Sequence, residues 1–200
     1  MSNSDHDHEL KFWINYRFEN GNFLHRNFYE KFFPFQEIKG KILEIGCGGA
    51  PFYTYIPGNF DKQKISLIDP LLNDLSTIDR YNHLTDCNLF SCNFLEFNSQ
   101  EKYDTVICLN VIDHFPYGQD EFLRKVNNCM FNNGQLYLYY DLRTTNENDH
   151  YAINESLVRN SIHDLFEIVK EDYTINPNHV GWSKIYKSHR AILNKKPQRN

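Results

Sequence analysis

Short apolar runs alternate along this chain with stretches of helical spacing, and the order of the two predicts the fold. The first strong run, Ile42-Leu43-Glu44-Ile45, predicts a buried strand. It enters a glycine turn, Gly46-Cys47-Gly48-Gly49-Ala50-Pro51, whose backbone bulkier residues would block. Ile65–Ile68 predicts a second strand that ends in Asp69-Pro70, and Asn88–Cys92 a third. Tyr103–Asn110 and Gln135–Tyr140 predict the fourth and fifth. Phe166–Ile175 and Lys184–Leu193 read as two further extended runs, joined by a loop containing Pro177-Asn178-His179-Val180-Gly181.

Between these runs the apolar residues recur at helical intervals. Leu10, Trp13, Ile14, Arg17 and Phe18 predict an amphipathic helix with Asp7 or His8 near its cap, broken at Gly21-Asn22. Phe23, Leu24, Asn27, Phe28, Lys31 and Phe32 predict a second helix that stops before Pro34. These two helices either cover the core or form a lid with substrate contacts. Pro51 suits the start of a short helix over Phe52–Ile56, and Leu71–Tyr81 reads as helix and loop. Phe122, Leu123, Val126, Cys129 and Met130 predict a helix capped at Asp120 and stopped by Gly134. Ser156–Leu165 predicts the last one.

Strands alternating with helices imply a mostly parallel sheet wrapped on both faces. The last two strands have no helix between them, so a C-terminal antiparallel hairpin is expected. The expected organisation is a single α/β domain, with N-terminal helical cover over residues 1–40, a core over 41–194 and a polar tail over 195–200. The length of 200 residues suits one such domain.

Composition narrows the function classes. A net charge of -5 argues against a nucleic-acid backbone as main partner, because such binders carry a basic excess. The five cysteines (47, 87, 92, 108 and 129) are odd in number and lack C-x-x-C spacing, which fits a reducing cytoplasm and gives no metal set. No apolar run approaches the ~20 residues that span a bilayer, and no signal peptide is read at the start. Asp5-His6-Asp7-His8-Glu9 reads as a solvated start or helix cap rather than a metal site.

In a parallel sheet of this kind, ligands bind off the carboxyl ends of the strands. Those ends carry Gly46 to Ala50, Asp69, Asn93 with Phe94, Asn110 to His114, and Asp141 to Arg143. A carboxylate at Asp69 can accept two hydrogen bonds from a ribose diol, and Phe94 can lie against a purine whose edge Asn93 reads.

These residues resemble the class I S-adenosylmethionine-dependent methyltransferases. Leu43-Glu44-Ile45-Gly46-Cys47-Gly48 is similar to that superfamily's first motif, and Asp69 to its ribose acid. Tyr103–Val111 resembles its fourth strand, and Phe131-Asn132-Asn133-Gly134-Gln135-Leu136 its turn into the fifth. Asp69-Pro70-Leu71 with Asn110–His114 is similar to small bacterial enzymes that modify glycans or metabolites. The resemblance implies a Rossmann-like, seven-stranded class I methyltransferase fold and S-adenosylmethionine as cofactor. It implies cofactor contacts at Glu44, Gly46, Cys47, Gly48, Asp69, Asn93, Phe94 and Asn110.

The sulfonium methyl is already activated, so the protein mainly aligns an acceptor. A hydroxyl acceptor also gains from a base, for which His114 with its neighbour Asp113 is the candidate. His150 and Tyr151 are second candidates for a base or substrate-orienting group, Tyr140, Asp141 and Arg143 are candidates to line the acceptor pocket, and Arg143 would suit a phosphate or carboxylate. No metal is called for.

The expected activity is methylation of a small molecule, an oxygen of a sugar, nucleotide-linked glycan precursor or metabolite. A non-catalytic cofactor-binding module and an RNA methyltransferase are the alternatives. A dinucleotide dehydrogenase is disfavoured because its fingerprint wants glycine where Pro51 stands. Base methylation is disfavoured because Asn110-Val111-Ile112-Asp113 lacks the Pro-Pro-aromatic sequence that follows the fourth strand in those enzymes.

Overall fold

The computed structural model describes residues 3–15, 29, 32–34, 38–54, 56, 58–115, 118–142, 151–174 and 187–197. The chain divides into two compact units, Met1–Asn98 and Ser99–Asn200. Its strands form a seven-stranded, mostly parallel sheet with one antiparallel hairpin at the C-terminal end, as the alternation predicts. No helix among the described residues is long and apolar enough to cross a membrane.

The first unit holds helix α1 (Asn3–Asn15), strands β1 (Ile42–Ile45) and β2 (Ile65–Ile68), the one-turn helix α2 (Leu72–Leu75) and strand β3 (Asn88–Phe90). The order is β3-β2-β1, all parallel, with Ile42 opposite Ile65 and Ser66 opposite Asn88. Every residue of β1 and β2 is buried, as a parallel strand covered on both faces requires.

The second unit holds β4 (Tyr103–Leu109), α3 (Gln119–Cys129), β5 (Met130–Asp141), α4 (Glu155–Leu165), β6 (Phe166–Thr174) and β7 (Ser188–Lys195). Its order is β4-β5-β7-β6, with β4 parallel to β5 and β7 antiparallel to both β5 and β6. Because β7 lies between β5 and β6, Tyr140, His189 and Tyr173 fall in one cross-strand row.

Several boundaries differ from expectation. The helix α1 starts at Asn3, so Asp7 and His8 lie inside it rather than near its cap. Early acidic residues suit the positive end of a helix, and His6 Nε2 lies 3.3 Å from Asp74 Oδ2. Gly21-Asn22 and most of the second N-terminal helix lie outside the described residues.

The helix after Pro51 is only a 3₁₀ turn, Phe52–Thr54, closed by Thr54 N–H donating to Pro51 C=O at 2.8 Å. Asp120 does not cap α3. Gly118 takes that position at φ +82°, and Asp120 sits in the first turn.

Nor does Gly134 stop that helix, which ends at Cys129. Lys195 Nζ donates to the carbonyls of Asn127 and Met130 at 2.9 and 3.0 Å, so the helix end needs no glycine. Lys195 therefore belongs to β7 rather than to a tail. Gly134 is instead an early residue of β5, where a Cβ would stand 3.0–3.1 Å from the carbonyl oxygens of Phe131 and Tyr103.

Candidate functional site

In the first unit the site grows out of β1. Gly46 N–H donates to Ile68 C=O at 2.7 Å, extending the ladder with β2 into the turn. Gly46 and Gly48 then adopt φ of +70° and +50°, a region where side chains are strained. The turn is locked from two sides. Glu44, buried in β1, accepts the Phe52 N–H on both carboxylate oxygens at 3.1 Å. Asp69, at the end of β2, accepts the Gly48 N–H on Oδ2 and the Leu71 N–H on Oδ1, both at 2.9 Å.

Burial sets the electrostatics. It pushes the Glu44 carboxyl up to about 8, against the pull of the Phe52 N–H and with a smaller push from Asp69. Asp69, 8% exposed, is raised by the same cause, opposed by its two backbone donors and His6. Burial, with the Asp69 and Glu44 carboxylates, holds the Cys47 thiol well above its ordinary value. It is a neutral packing group rather than a nucleophile.

The turn and Asp69 fit a nucleoside ligand. A carboxylate offers about four lone-pair sites, and the backbone donors use two, leaving acceptors for a diol. Along the turn, a Cβ on Gly48 would come within 2.2 Å of the Trp13 ring, and one on Gly49 within 2.4 Å of Tyr81. Bare backbone here takes flat rings in direct contact.

Asn93 and Phe94 also make local contacts in the turn after β3. Phe94 is 2% exposed and stacks on Phe97 at 6.4 Å, within a cluster that includes Phe90. Asn93 Oδ1 accepts the Leu95 N–H at 2.9 Å, forming the turn after β3.

In the second unit, Asn110 directly follows β4, held at φ +60° with its N–H donating to Tyr139 C=O at 2.8 Å. Its side-chain Oδ1 is buried with no hydrogen-bond partner among the described residues. A non-glycine residue in this conformation at a strand end is unusual and marks a specialised position. A 3₁₀ turn, Ile112–His114, follows. Asp113 is wholly buried, and its carbonyl accepts the Tyr151 N–H at 2.7 Å. The structure thus brings Asp113, half-buried His114 and Tyr151 together. Arg143 and His150 lie outside the described residues.

Asp141 has a local task. Its Oδ1 accepts from Tyr139 Oη and Ser188 Oγ, both at 2.7 Å, tying β5 to β7. Beside it, Tyr140 stands with two residues that the sequence did not single out, His189 and Tyr173. Tyr140 meets His189 edge-on at 5.2 Å, and His189 stacks on Tyr173 at 4.5 Å. His189 Nε2 is 3.2 Å from Glu171 Oε2, while its Nδ1 and the Tyr140 hydroxyl are buried without partners. Burial holds the His189 imidazole below its ordinary value, with Glu171 pulling the other way. Only the register of β5, β7 and β6 aligns these residues, so no local motif marks them. Among the described residues, no three His, Cys, Asp or Glu side chains converge as metal ligands would.

Comparison with known proteins bears on what such strand ends do. The family model described as "Methyltransferase domain" matches residues 14–170. A ubiquinone biosynthesis O-methyltransferase of Rickettsia felis is 32% identical over 90 residues, covering 44% of this chain and 36% of that protein. The chain thus matches about a third of that relative's length.

Among solved structures, the N-methyltransferase NodS of Bradyrhizobium japonicum WM9, in complex with S-adenosyl-L-homocysteine, superposes with a TM-score of 0.70 at 14% identity. That match covers 98% of this chain and 100% of that one. The [4+2]-cyclase SpnF superposes with a TM-score of 0.68 at 10% identity, covering 98% of each chain. At such identities the likeness shows the fold alone, and that fold serves more than one chemistry.

Proposed function

The chain belongs to the methyltransferase domain family, and on that premise we propose that it transfers the methyl group of S-adenosylmethionine to a small hydroxylated acceptor. The observation that carries this reading is the Asp69 carboxylate bonded to the Gly48 N–H. That bond holds against the glycine turn the carboxylate to which the ribose hydroxyls are assigned in this reading. S-adenosylmethionine supplies an already activated methyl group, and the chain's residues bind and orient the reactants.

Asp69 accepts the ribose hydroxyls while keeping its two backbone donors. Glu44 fixes the far end of the turn through Phe52. Asn110 offers a buried amide oxygen at its strand end, and His114 takes the proton of the acceptor hydroxyl. Tyr140 and Tyr151 help to hold the acceptor. An oxygen acceptor is favoured by the identity shared with an O-methyltransferase, and a small one by the net charge of -5. A sugar or nucleotide-linked glycan precursor is the finer form of the proposal.

Calorimetric titration with S-adenosylhomocysteine tests the cofactor site, with Asp69→Ala as the disabled variant. A labelled methyl donor offered with sugars, phenols and amines tests the acceptor class. Saturable binding without transfer to any acceptor would turn the reading toward a non-catalytic module. Transfer to amines alone would refute the oxygen acceptor.

A further inference from the structure

Cys47 to Ala50 and Asp69 are buried, and the Trp13 side chain lies against this turn. Trp13, near the C-terminal end of α1, lays its indole on the turn. A Cβ built on Gly48 would stand 2.2 Å from Trp13 Cζ2 and 2.7 Å from Nε1, and one on Gly49 3.1 Å from Cε3. The ring therefore rests on bare backbone at the residue whose N–H Asp69 holds.

Polar tethers keep the helix there. The Trp13 carbonyl accepts from Arg80 Nη2 at 2.7 Å and from Tyr81 Oη at 2.6 Å, and Arg80 also donates to the Ile14 carbonyl. At the other end, His6 pairs with Asp74. On either side of Trp13 the apolar residues are not buried, with Phe12 38% and Ile14 44% exposed. A helix whose Phe12 and Ile14 stay exposed beside one seated ring buries little apolar surface, and such a segment opens at lower cost than the core.

We propose that Trp13 is an intramolecular occupant of the cofactor site, whose indole must leave the glycine turn before an S-adenosyl ligand can take its place. The inference rests on the reading that the turn and Asp69 hold the cofactor. The indole and the ligand compete for one surface of Gly48, so the seated helix lowers apparent affinity by the fraction of molecules that are open. If α1 is seated nine-tenths of the time, the loss is about tenfold, and Trp13 is then a determinant of cofactor affinity.

The chain has two tryptophans, so a Trp182→Phe background leaves Trp13 as sole reporter. Titration with S-adenosylhomocysteine should move the Trp13 emission toward that of a solvent-exposed indole, saturating at the dissociation constant found by calorimetry. Trp13→Ala should tighten binding about tenfold. Arg80→Ala, which keeps the indole but frees the helix end, should tighten it in the same direction by a smaller factor. Circular dichroism of each variant checks that the core remains folded.

Weaker binding by Trp13→Ala would overturn the proposal, because the ring would then be a wall that holds the ligand. So would calorimetric binding with no change in Trp13 emission. The site reading fails separately: S-adenosylhomocysteine binding that Asp69→Ala leaves intact, or no binding by any variant, defeats that reading and the inference with it.

Discussion

Replacing Glu44 by Gln isolates a buried proton. Folding raises this carboxyl from 4.5 to about 8, chiefly by burial. Below pH 4.5 both folded and unfolded chains hold the proton, and the residue costs nothing. Between the two values the folded state holds a proton that the unfolded state has released. Rising pH therefore favours unfolding, and the penalty is complete once pH passes the folded value.

That interval is about three and a half pH units at about 1.36 kcal/mol each, so the full penalty is about 4–5 kcal/mol. Gln carries no titrating proton, matches the protonated carboxyl in shape, and still presents an oxygen to the Phe52 N–H. Urea unfolding of both proteins from pH 5 to pH 9 reads the difference. The Gln variant should match the parent near pH 5 and gain steadily above it. At a slope of about 2 kcal/mol per molar, its midpoint should lie about 2 M higher by pH 9. Parallel curves across the range would refute the buried-proton reasoning. A variant less stable at every pH would mean that Glu44 is held as a carboxylate.

Three further outcomes follow from the second unit. His114→Ala should lower kcat about 100-fold with S-adenosylhomocysteine affinity unchanged, and should flatten the acid limb of the pH–rate profile. Tyr140→Phe removes a buried hydroxyl that has no partner, so thermal unfolding should show a gain of about 1 kcal/mol. If that hydroxyl greets the acceptor, KM for the acceptor should rise in the same variant. Lys195→Met should cost about 1–2 kcal/mol in urea unfolding, because it removes a donor from the Met130 carbonyl and one of the donors from the Asn127 carbonyl, which keeps the Met130 N–H.

What could be read in the sequence was what is decided locally. The strands β1, β2 and β4 are short, largely apolar runs, interrupted only by Glu44, Ser66, Asp104 and Thr105, because both faces are covered, and no tertiary knowledge is needed to find them. The glycine turn and Asp69 were legible for a related reason, since their chemistry sits at the ends of those runs. Helix limits were harder, because their ends are satisfied from a distance. Nothing near Cys129 reveals that Lys195, 66 residues later, supplies its helix with donors. His189 was invisible for the same reason: its row with Tyr140 and Tyr173 exists only in the hairpin register.

Phe94 and Asp69 mark a different limit, where residue type fits two roles. An aromatic side chain beside a strand end serves a core as well as it serves a purine, and the structure packs Phe94 against Phe97. For Asp69 the two roles are compatible. Its Oδ1 caps the Leu71 N–H and its Oδ2 holds the Gly48 N–H, yet each oxygen retains a lone pair. The same carboxylate can therefore fix the turn before a ligand arrives and bind the ligand afterwards. Preorganisation of this kind lowers the ordering cost of binding, since the Gly48 N–H is already aimed and the carboxylate already buried. It also means that the turn's geometry and its affinity cannot be varied independently at Asp69. Under the proposed reading, Trp13, whose ring lies on the same glycine, is where affinity can change while Asp69 keeps the turn as it is.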